Sequence, residues 1–284
     1  MNLLYDSLFL SGKPINISFS GLNTWERCPR RKLLELAVPK NEWAKLQEQR
    51  NFVAGSVVHD LFAEWVLSGF ADDFMTEDRV RIAFDEYVAK LRRKGLPVTW
   101  RDSVSVSVAK KWGVYTDYEY NLKKATQAAT TMVLIARSLQ LPLRRVLSEE
   151  WVRVEHPADD RFRFIGAVDI YDFENDIIYD IKVTENTRYG NPLQLAFYGM
   201  LLGSQLGRLP GKAAFIYPLG ANKIVAVDFK EYFGGLKEQV DKFIVAFDEM
   251  RFPPKPSRDC ATCPVRTWCS AKGGYFKYEE YLNE

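Results

Sequence analysis

The alternation of apolar and polar residues is clearest in two adjacent segments near the middle of the chain. Phe164–Tyr171 and Ile177–Val183 are rich in β-branched and aromatic side chains, and a polar turn separates them. Because successive strand side chains point to opposite faces, Asp180 and Lys182 share one face of the second strand. In an antiparallel hairpin, Asp169 on the first strand comes close to Asp180. The pattern therefore predicts two carboxylates and an ammonium group that converge in an otherwise apolar sheet.

Two interpretations of this convergence follow from elementary electrostatics. Like charges that are buried side by side are costly unless something neutralises them, and a divalent metal ion does so. A lysine beside that ion can orient or activate a water molecule. The alternative without a functional role is a solvated Asp-x-Lys pair on an exposed strand face, which is the more common role of such pairs. The hairpin alone leaves both interpretations open.

Helical periodicity dominates the chain before the hairpin. The apolar face of Phe52–Leu67 indicates a helix that carries His59, and a lone histidine in such a pattern is more often structural than a ligand. The segment from 74 to 141 is mainly helical and is interpreted as an insertion before the sheet. Upstream, Ser18–Val38 has a helical pattern in which Cys28 precedes a proline, so we expect this cysteine at a helix boundary.

Further strands and helices surround the hairpin. Leu147–Glu155 is predicted to be a strand on which Glu150 shares a face with two valines. Asn191 followed by proline predicts a helix start, and Gln194 and Tyr198 lie four residues apart on one face of that helix. The remaining predicted elements are two strands and a closing helix at Ala213–Tyr217, Ile224–Phe229 and Tyr232–Met250. This order predicts an α/β fold with a mixed central sheet flanked by helices.

Composition adds little about partners but bounds the class of protein. The chain has 284 residues, of which 47% are hydrophobic, and this suffices for a large core. The formal net charge of +2 averages over local patches, so it does not identify a partner. The N-terminus lacks a basic start followed by an apolar core, and no apolar run is long enough to span a membrane. We expect a soluble, cytoplasmic protein.

The chain contains four cysteines, of which three form a C-x2-C-x5-C cluster and one lies far upstream: Cys260, Cys263, Cys269 and Cys28. An intracellular setting argues against two disulfides. The spacing favours a metal or an iron–sulfur cluster over buried free cysteines, with no thiolate left over. Closing so long a loop would restrict the unfolded chain by about 5 kcal/mol, so the group would act as a clasp between the two ends of the domain.

Four short motifs, taken together and in order, resemble the PD-(D/E)XK nuclease superfamily and in particular its RecB-like exonuclease branch. They are Gly55-x3-His59, Gly166-Ala167-Val168-Asp169, Asp180-Ile181-Lys182 and Gln194-x3-Tyr198. The cysteine arrangement resembles the iron–sulfur subset, which includes CRISPR-associated RecB-like nucleases and AddB-type nuclease domains. The resemblance covers roughly residues 18–270. The chain lacks a G-x4-G-K-[ST] motif for a helicase motor, which favours a stand-alone nuclease module.

The resemblance implies a role for each matching residue of the metal site. Asp169 and Asp180 would hold Mg²⁺ or Mn²⁺, and His59 and the Ile181 carbonyl would complete the protein's share. Imidazole shifts the preference towards Mn²⁺. Lys182 would position or deprotonate the attacking water and offset the charge that develops on the phosphate.

Other roles implied by the resemblance lie around this site. Gln194 and Tyr198 would steady the active site or the DNA backbone. Glu150 is a further acidic candidate, ahead of its neighbour Glu149. The four cysteines would ligate a [4Fe–4S] cluster, and a structural zinc ion is the less favoured alternative, since thiolates alone fit both.

The resulting expectation is a single nuclease domain that hydrolyses DNA. Residues 18–73 would supply the first cysteine and histidine, 74–146 the helical insertion, 147–250 the catalytic core and 251–284 the cysteine-bearing tail.

We expect a metal-dependent exonuclease that acts on single-stranded DNA or DNA ends. Its setting would be recombination, repair, phage DNA metabolism or CRISPR-type processing. The rival is a non-catalytic subunit that binds DNA ends. A DNA glycosylase fits poorly because Cys28 is distant. Cleavage polarity, strand preference, protein partners and oligomeric state stay open.

Overall fold

A computed structural model describes residues 13–40, 43, 49–71 and 74–269 of the chain. The chain divides into two compact units that alternate along the sequence. The first unit comprises Met1–Gln47, Arg153–Gly166 and Phe233–Glu284, and the second comprises Glu48–Val152 and Ala167–Tyr232. These bounds differ from the segment boundaries expected at 73, 146 and 250, and the single-domain organisation stays a prediction.

A mixed β-sheet is the central feature of the fold, as the sequence predicted. Its strands are β1 (Ile15–Ile17), β2 (Val146–Glu155), β3 (Phe162–Asp172), β4 (Ile177–Ile181), β5 (Lys212–Ile216) and β6 (Ile224–Val227). The strand order is β1–β3–β4–β5–β6, and β2 also pairs with β3. The β3–β4 and β5–β6 pairs are antiparallel, whereas β1–β3 and β4–β5 are parallel. Strand β1 was not predicted, because three residues are too few to show an alternation.

The helices lie in the segments that the sequence predicted to be helical. They are α1 (Phe19–Arg27), α2 (Pro29–Ala37), α3 (Arg50–Leu67), α4 (Glu77–Arg93), α5 (Val106–Trp112), α6 (Asp117–Ser138), α7 (Pro192–Leu206) and α8 (Phe233–Asp248). Cys28 lies between α1 and α2, which confirms the helix boundary predicted there. Asn191 caps α7 by accepting a hydrogen bond from the Leu193 backbone N–H, which confirms the predicted helix start.

The core of the second unit is formed by the predicted helical insertion and by one face of the sheet. Helix α3 contributes fully buried side chains such as Phe62 and Trp65, and these pack in one cluster with Met132 of α6 and Ile181 of β4. Burying apolar stripes from several helices against a sheet provides the main stabilisation of such a layer. Because Ile181 belongs to this cluster, the core fixes the end of β4 against the helices that surround the candidate site.

The first unit has a smaller core. Phe243 of α8 contacts Trp25 and Phe162 edge to face, with ring centroids 5.9 and 6.2 Å apart. A separate cluster in this unit consists of Leu34, Val38 and Val265, and Trp43, Cys263 and Cys269 pack against these three residues. The cysteine-bearing segment is therefore held against α2 by apolar contacts.

The described part of the chain contains no helix that combines the length and the apolar character needed to cross a membrane.

Candidate active site

A histidine and two carboxylates from three separate elements of the second unit meet at one point. His59 of α3 has its Nδ1 atom 2.7 Å from Glu149 Oε1 of β2 and 3.7 Å from Asp169 Oδ2 of β3. One ligand atom from each residue lies within 4.8 Å of the other two. Asp169 Oδ2 also accepts a 2.7 Å hydrogen bond from the Ile181 N–H, which fixes this carboxylate against β4. Imidazole and carboxylate oxygen together form a common donor set for divalent metals.

The β3–β4 hairpin brings a second aspartate to this group. Ile170 pairs with Tyr179, and continuing that register places Asp169 opposite Asp180. The Asp180 side chain is fully buried, and neither of its carboxylate oxygens has a hydrogen-bond partner. The Lys182 Nζ atom lies 2.6 Å from Asp180 Oδ2, so the two groups form an ion pair. This ion pair offsets part of the cost of burying Asp180, whereas Oδ1 has no hydrogen-bond partner among the described residues.

Lys182 is held from its other side by residues of α7. Gln194 Oε1 accepts a 3.0 Å hydrogen bond from Lys182 Nζ, and Gln194 Nε2 donates a 2.9 Å hydrogen bond to the Tyr198 hydroxyl. The Lys182 backbone N–H donates to the Ile216 carbonyl of β5 at 2.8 Å. Strand β5 therefore fixes the backbone of this lysine, while Asp180 and Gln194 fix its ammonium group.

Burial and mutual repulsion perturb the titration of the acidic groups. Burial raises the pKa of Asp169, and the charges of Asp180 and Glu149 raise it further while that of His59 opposes them. Burial also raises the pKa of Asp180, against the opposing effect of Lys182. Burial lowers the pKa of His59, but Asp169 and Glu149 outweigh that effect and raise it to about 9. The site thus concentrates negative charge that His59 and Lys182 offset only in part.

These residues fit a divalent cation, as two observations indicate. The donor set contains carboxylates and an imidazole, which suit Mg²⁺ and Mn²⁺, and the imidazole favours Mn²⁺. Asp180 keeps two buried oxygens without hydrogen bonds, and a bound cation would offset their desolvation. The Ile181 carbonyl lies 3.1 Å from His59 Nε2, so it is adjacent to the same group. Ligation would require His59 to be neutral, with the cation in place of its proton.

The structure brings Glu149, the less favoured acidic candidate, to His59. Its neighbour Glu150 is exposed, and the role of Glu150 as a further acidic contact stays a prediction. The backbone of Glu149 has a φ of 50°, in the left-handed region, which departs from the regular conformation of a strand. No residue type in the sequence signals such a turn at this position.

The site opens into a cavity of about 890 Å³ within the second unit. Asp169, Asp180, Lys182, Gln194 and His59 all line it. Side chains from α3, α4 and α6 form further parts of its lining. The helical insertion, whose role the sequence left undefined, therefore contributes directly to the surroundings of the candidate site.

The four cysteines belong to the first unit. The Lys255 N–H points to Cys28 Sγ at 3.5 Å, and the Ser257 N–H points to Cys260 Sγ at 3.4 Å. Burial raises the pKa of Cys263, and the charges of Cys260 and Cys28 raise it further. Residues that are distant in sequence are thus close enough to influence one another, as a shared ligand would require.

The mixed sheet, the buried carboxylate pair and the adjacent lysine define an α/β protein with a candidate metal centre of the kind used to hydrolyse phosphodiesters. A model of the PD-(D/E)XK nuclease superfamily matches residues 16–270, and the chain belongs to this superfamily. Its members are generally nucleases that use divalent metals, which indicates a metal-dependent nuclease with DNA as its substrate. A search among curated proteins found no significant match.

Proposed function

We propose that this chain is a metal-dependent DNA exonuclease of the RecB-like branch, acting on single strands or DNA ends and carrying a [4Fe–4S] cluster. The observation that carries the catalytic part is Asp180, which is fully buried, has no hydrogen-bond partner at Oδ1 and forms a 2.6 Å ion pair with the Lys182 ammonium. A subunit that only binds DNA has no need of a second buried carboxylate beside Asp169 and a lysine. We place this activity in recombination, repair, phage DNA metabolism or CRISPR-type DNA processing.

Each residue of the site has a distinct part in this proposal. Asp169, Asp180, Glu149 and His59 would hold Mg²⁺ or Mn²⁺, which supplies polarisation of the phosphate and a lowered pKa of bound water. Lys182 orients the attacking water and stabilises negative charge on the phosphate oxygens.

The hydrogen bonds of α7 keep Lys182 in place for this role. Gln194 takes up one of the three ammonium donors and Asp180 attracts the group, which leaves donor capacity for a water molecule or a phosphate oxygen. Tyr198, which is buried, fixes the orientation of the Gln194 amide. An arrangement that is fixed before substrate binds needs little reorganisation during the reaction.

The cysteines bring together two segments that are distant in sequence. Cys28 Sγ lies 3.5 Å from the backbone nitrogen of Lys255, and Cys260 Sγ lies 3.4 Å from that of Ser257. Thiolates alone fit both a zinc ion and an iron–sulfur cluster, and we favour the cluster because the C-x2-C-x5-C spacing with one cysteine far upstream resembles that of the iron–sulfur subset. Such a group would join the segment at Cys28 to the segment at Cys260–Cys269.

Digestion of end-labelled DNA tests the catalytic proposal. With Mn²⁺ the protein should degrade linear single strands from their ends and leave a closed single-stranded circle intact, and EDTA should stop the reaction. Asp180→Asn should abolish cleavage, whereas the exposed Asp102→Asn should not. Cleavage of the circle would overturn the exonuclease assignment. The absence of metal-dependent cleavage of any DNA would favour the non-catalytic alternative.

Metal analysis tests the cluster separately. Protein purified without oxygen should be brown and should contain iron and sulfide. Cys260→Ser should lose both and unfold more readily, because the link between the two segments is lost, whereas the exposed Thr267→Ser should change neither. Stoichiometric zinc without iron would overturn the cluster assignment.

A further inference from the structure

Two large aromatic side chains are exposed in the cavity that contains the candidate site. Phe52 is 51% exposed and Tyr189 is 70% exposed, and both line the cavity together with His59 and Lys182. Single exposed aromatics are common on protein surfaces. Two of them beside the same group of candidate catalytic residues indicate a surface that contacts a ligand with flat faces.

One face of α3 connects the candidate metal site to the first of these aromatics. Phe52, Gly55 and His59 are spaced at i, i+3 and i+7, so they lie along one side of the helix. At 1.5 Å per residue, Phe52 lies about 10 Å from His59 along the helix axis. A Cβ atom added at Gly55 would meet nothing within 4 Å. Between His59 and Phe52 the lining of the cavity consists of Gly55, which has no side chain, and Ser56, which has a small polar one, so an extended chain can pass along this surface.

A lysine in the same cavity has no counter-ion close by. Lys124 of α6 is half-buried and lines the cavity, and among the described residues its ammonium group makes no hydrogen bond or ion pair. Burial lowers its pKa, and the more distant charge of Glu185 opposes this only in part. Withdrawing a cation from water without a partner is unfavourable, so the position of Lys124 fits an anionic ligand. Lys90 of α4 adds a second, exposed positive charge to the lining.

We propose that Phe52 and Tyr189 stack against unpaired bases of a nucleic-acid strand, while Lys124 holds a backbone phosphate next to the one at Lys182. The proposal rests on the proposed function and assigns its strand preference to named residues. Stacking on a protein side chain needs a base that is free of its duplex neighbours, and every base offers such a face. These residues therefore select single strands and frayed ends, irrespective of sequence.

Equilibrium binding of short strands tests the two aromatic residues. The full-length Lys182→Ala protein keeps the strand intact, and fluorescence anisotropy compares a labelled single strand with one of equal length in which several bases are removed. The background protein should prefer the intact strand. Phe52→Ala or Tyr189→Ala, added to it, should weaken binding of the intact strand by about five- to a hundredfold, with much less effect on the abasic strand.

Matched variants separate stacking from a general disturbance. Tyr189→Phe keeps the ring and should keep the preference for the intact strand. Leu67→Ala on the same helix as Phe52, and Tyr115→Ala, remove exposed apolar side chains that do not line the cavity, and both should bind like the background protein. Lys124→Ala should weaken both strands equally and reduce the salt dependence by about one ion, whereas Lys123→Ala next to it should have a smaller effect.

The outcomes distinguish this inference from the proposed function. If Phe52→Ala and Tyr189→Ala discriminate between intact and abasic strands as the background protein does, the stacking assignment is overturned, even where the wild-type protein cleaves DNA. If the wild-type protein cleaves no DNA with Mn²⁺ but the preference for bases disappears in both variants, the nuclease proposal fails and the stacking assignment stands.

Discussion

Two fully buried aspartates of the second unit both incur the free-energy cost of burying a charge, and the protein offsets this cost in different ways. Asp172, at the end of β3, accepts hydrogen bonds from Arg144 Nη1 at 3.0 Å and from Asn175 Nδ2 at 2.7 Å. It also accepts bonds from the backbone N–H groups of Glu174 and Asn175 at 3.0 and 3.1 Å. Asp180, eight residues further along, accepts none and has Lys182 as its close ion-pair partner.

The difference distinguishes a structural carboxylate from a candidate metal ligand. Burial of charge is common to both, so burial does not identify a site. The protein itself satisfies Asp172, mostly with donors from its own turn. Asp180 has hydrogen-bond acceptor capacity that the described protein leaves unused. In native proteins, buried polar groups are seldom left without a hydrogen-bond partner. The unmet capacity, rather than the acidity of the residue, is what points to a cation.

The largest effect that would test this comparison concerns Lys182. Its contribution is greatest where charge builds up on the phosphate, so Lys182→Ala should slow single-turnover cleavage by at least about a hundredfold. Folding and Mn²⁺ binding should change little, because the lysine does not bind the metal. DNA binding should fall far less than the cleavage rate, because the contribution of the lysine is greatest in the transition state. Asp180→Ala should lose tight Mn²⁺ binding as well as cleavage.

Single-turnover kinetics beside calorimetric Mn²⁺ titration checks this prediction, with the exposed Lys110→Ala as a control of equal charge change. Near-normal cleavage by Lys182→Ala would mean that the active site lies elsewhere.

A change at Asp172 should have the next largest effect, and on stability alone. Asp172→Asn removes the negative partner of Arg144. It also places the NH₂ group of the new amide among N–H groups that now donate hydrogen bonds to Asp172. Breaking a buried, hydrogen-bonded ion pair costs about 3 kcal/mol in the free energy of unfolding. Chemical denaturation against wild type and the exposed Asp102→Asn measures the loss. A change below about 0.5 kcal/mol, as is usual for surface positions, would remove the contrast between the two aspartates.

The sequence predicted the parts of the site that depend on local geometry. Strand alternation placed Asp180 and Lys182 on one face, and the two groups do form an ion pair. The approach of Asp169 to Asp180 followed from the hairpin alone. The proximity of His59 to Asp169 depends on how α3 packs, and only the resemblance to a family pointed to it.

What the sequence could not show depends on tertiary contacts or on unusual backbone conformations. Asp172 looked like an ordinary turn residue, because its partner Arg144 lies 28 residues upstream. Glu149 takes its position through a left-handed backbone that ordinary residues seldom adopt. The strand Ile15–Ile17 is defined by its pairing with β3 and not by a pattern of its own.

A smaller effect than that at Asp172 is expected for Asp180 in the absence of metal. Asp180→Asn relieves the burial of a carboxylate whose pKa burial raises, but it also removes the ion-pair partner of Lys182. The two effects oppose each other, so the free energy of unfolding of the metal-free protein should change by no more than about 1 kcal/mol. Added Mn²⁺ should stabilise the wild type but not the variant.

Thermal unfolding in EDTA and in excess Mn²⁺ measures both effects. A loss of stability in EDTA similar to that of Asp172→Asn would show that Asp180 is a structural carboxylate after all.

The smallest effect concerns Gly55, a glycine in the interior of α3. A glycine inside a helix is less stable than alanine by about 0.8–1 kcal/mol, and a Cβ atom at Gly55 would meet nothing within 4 Å. Gly55→Ala should therefore raise the free energy of unfolding by up to about 1 kcal/mol. The same methyl group would project from the open surface between His59 and Phe52, so affinity for a single strand should fall.

Gly234→Ala in α8 is the matched control, because a Cβ atom there also meets nothing within 4 Å and the residue does not line the cavity. It should leave DNA binding unchanged. Parallel denaturation and anisotropy measurements on the two variants check this prediction, and a stabilised Gly55→Ala protein with wild-type affinity would show that the strand takes another path.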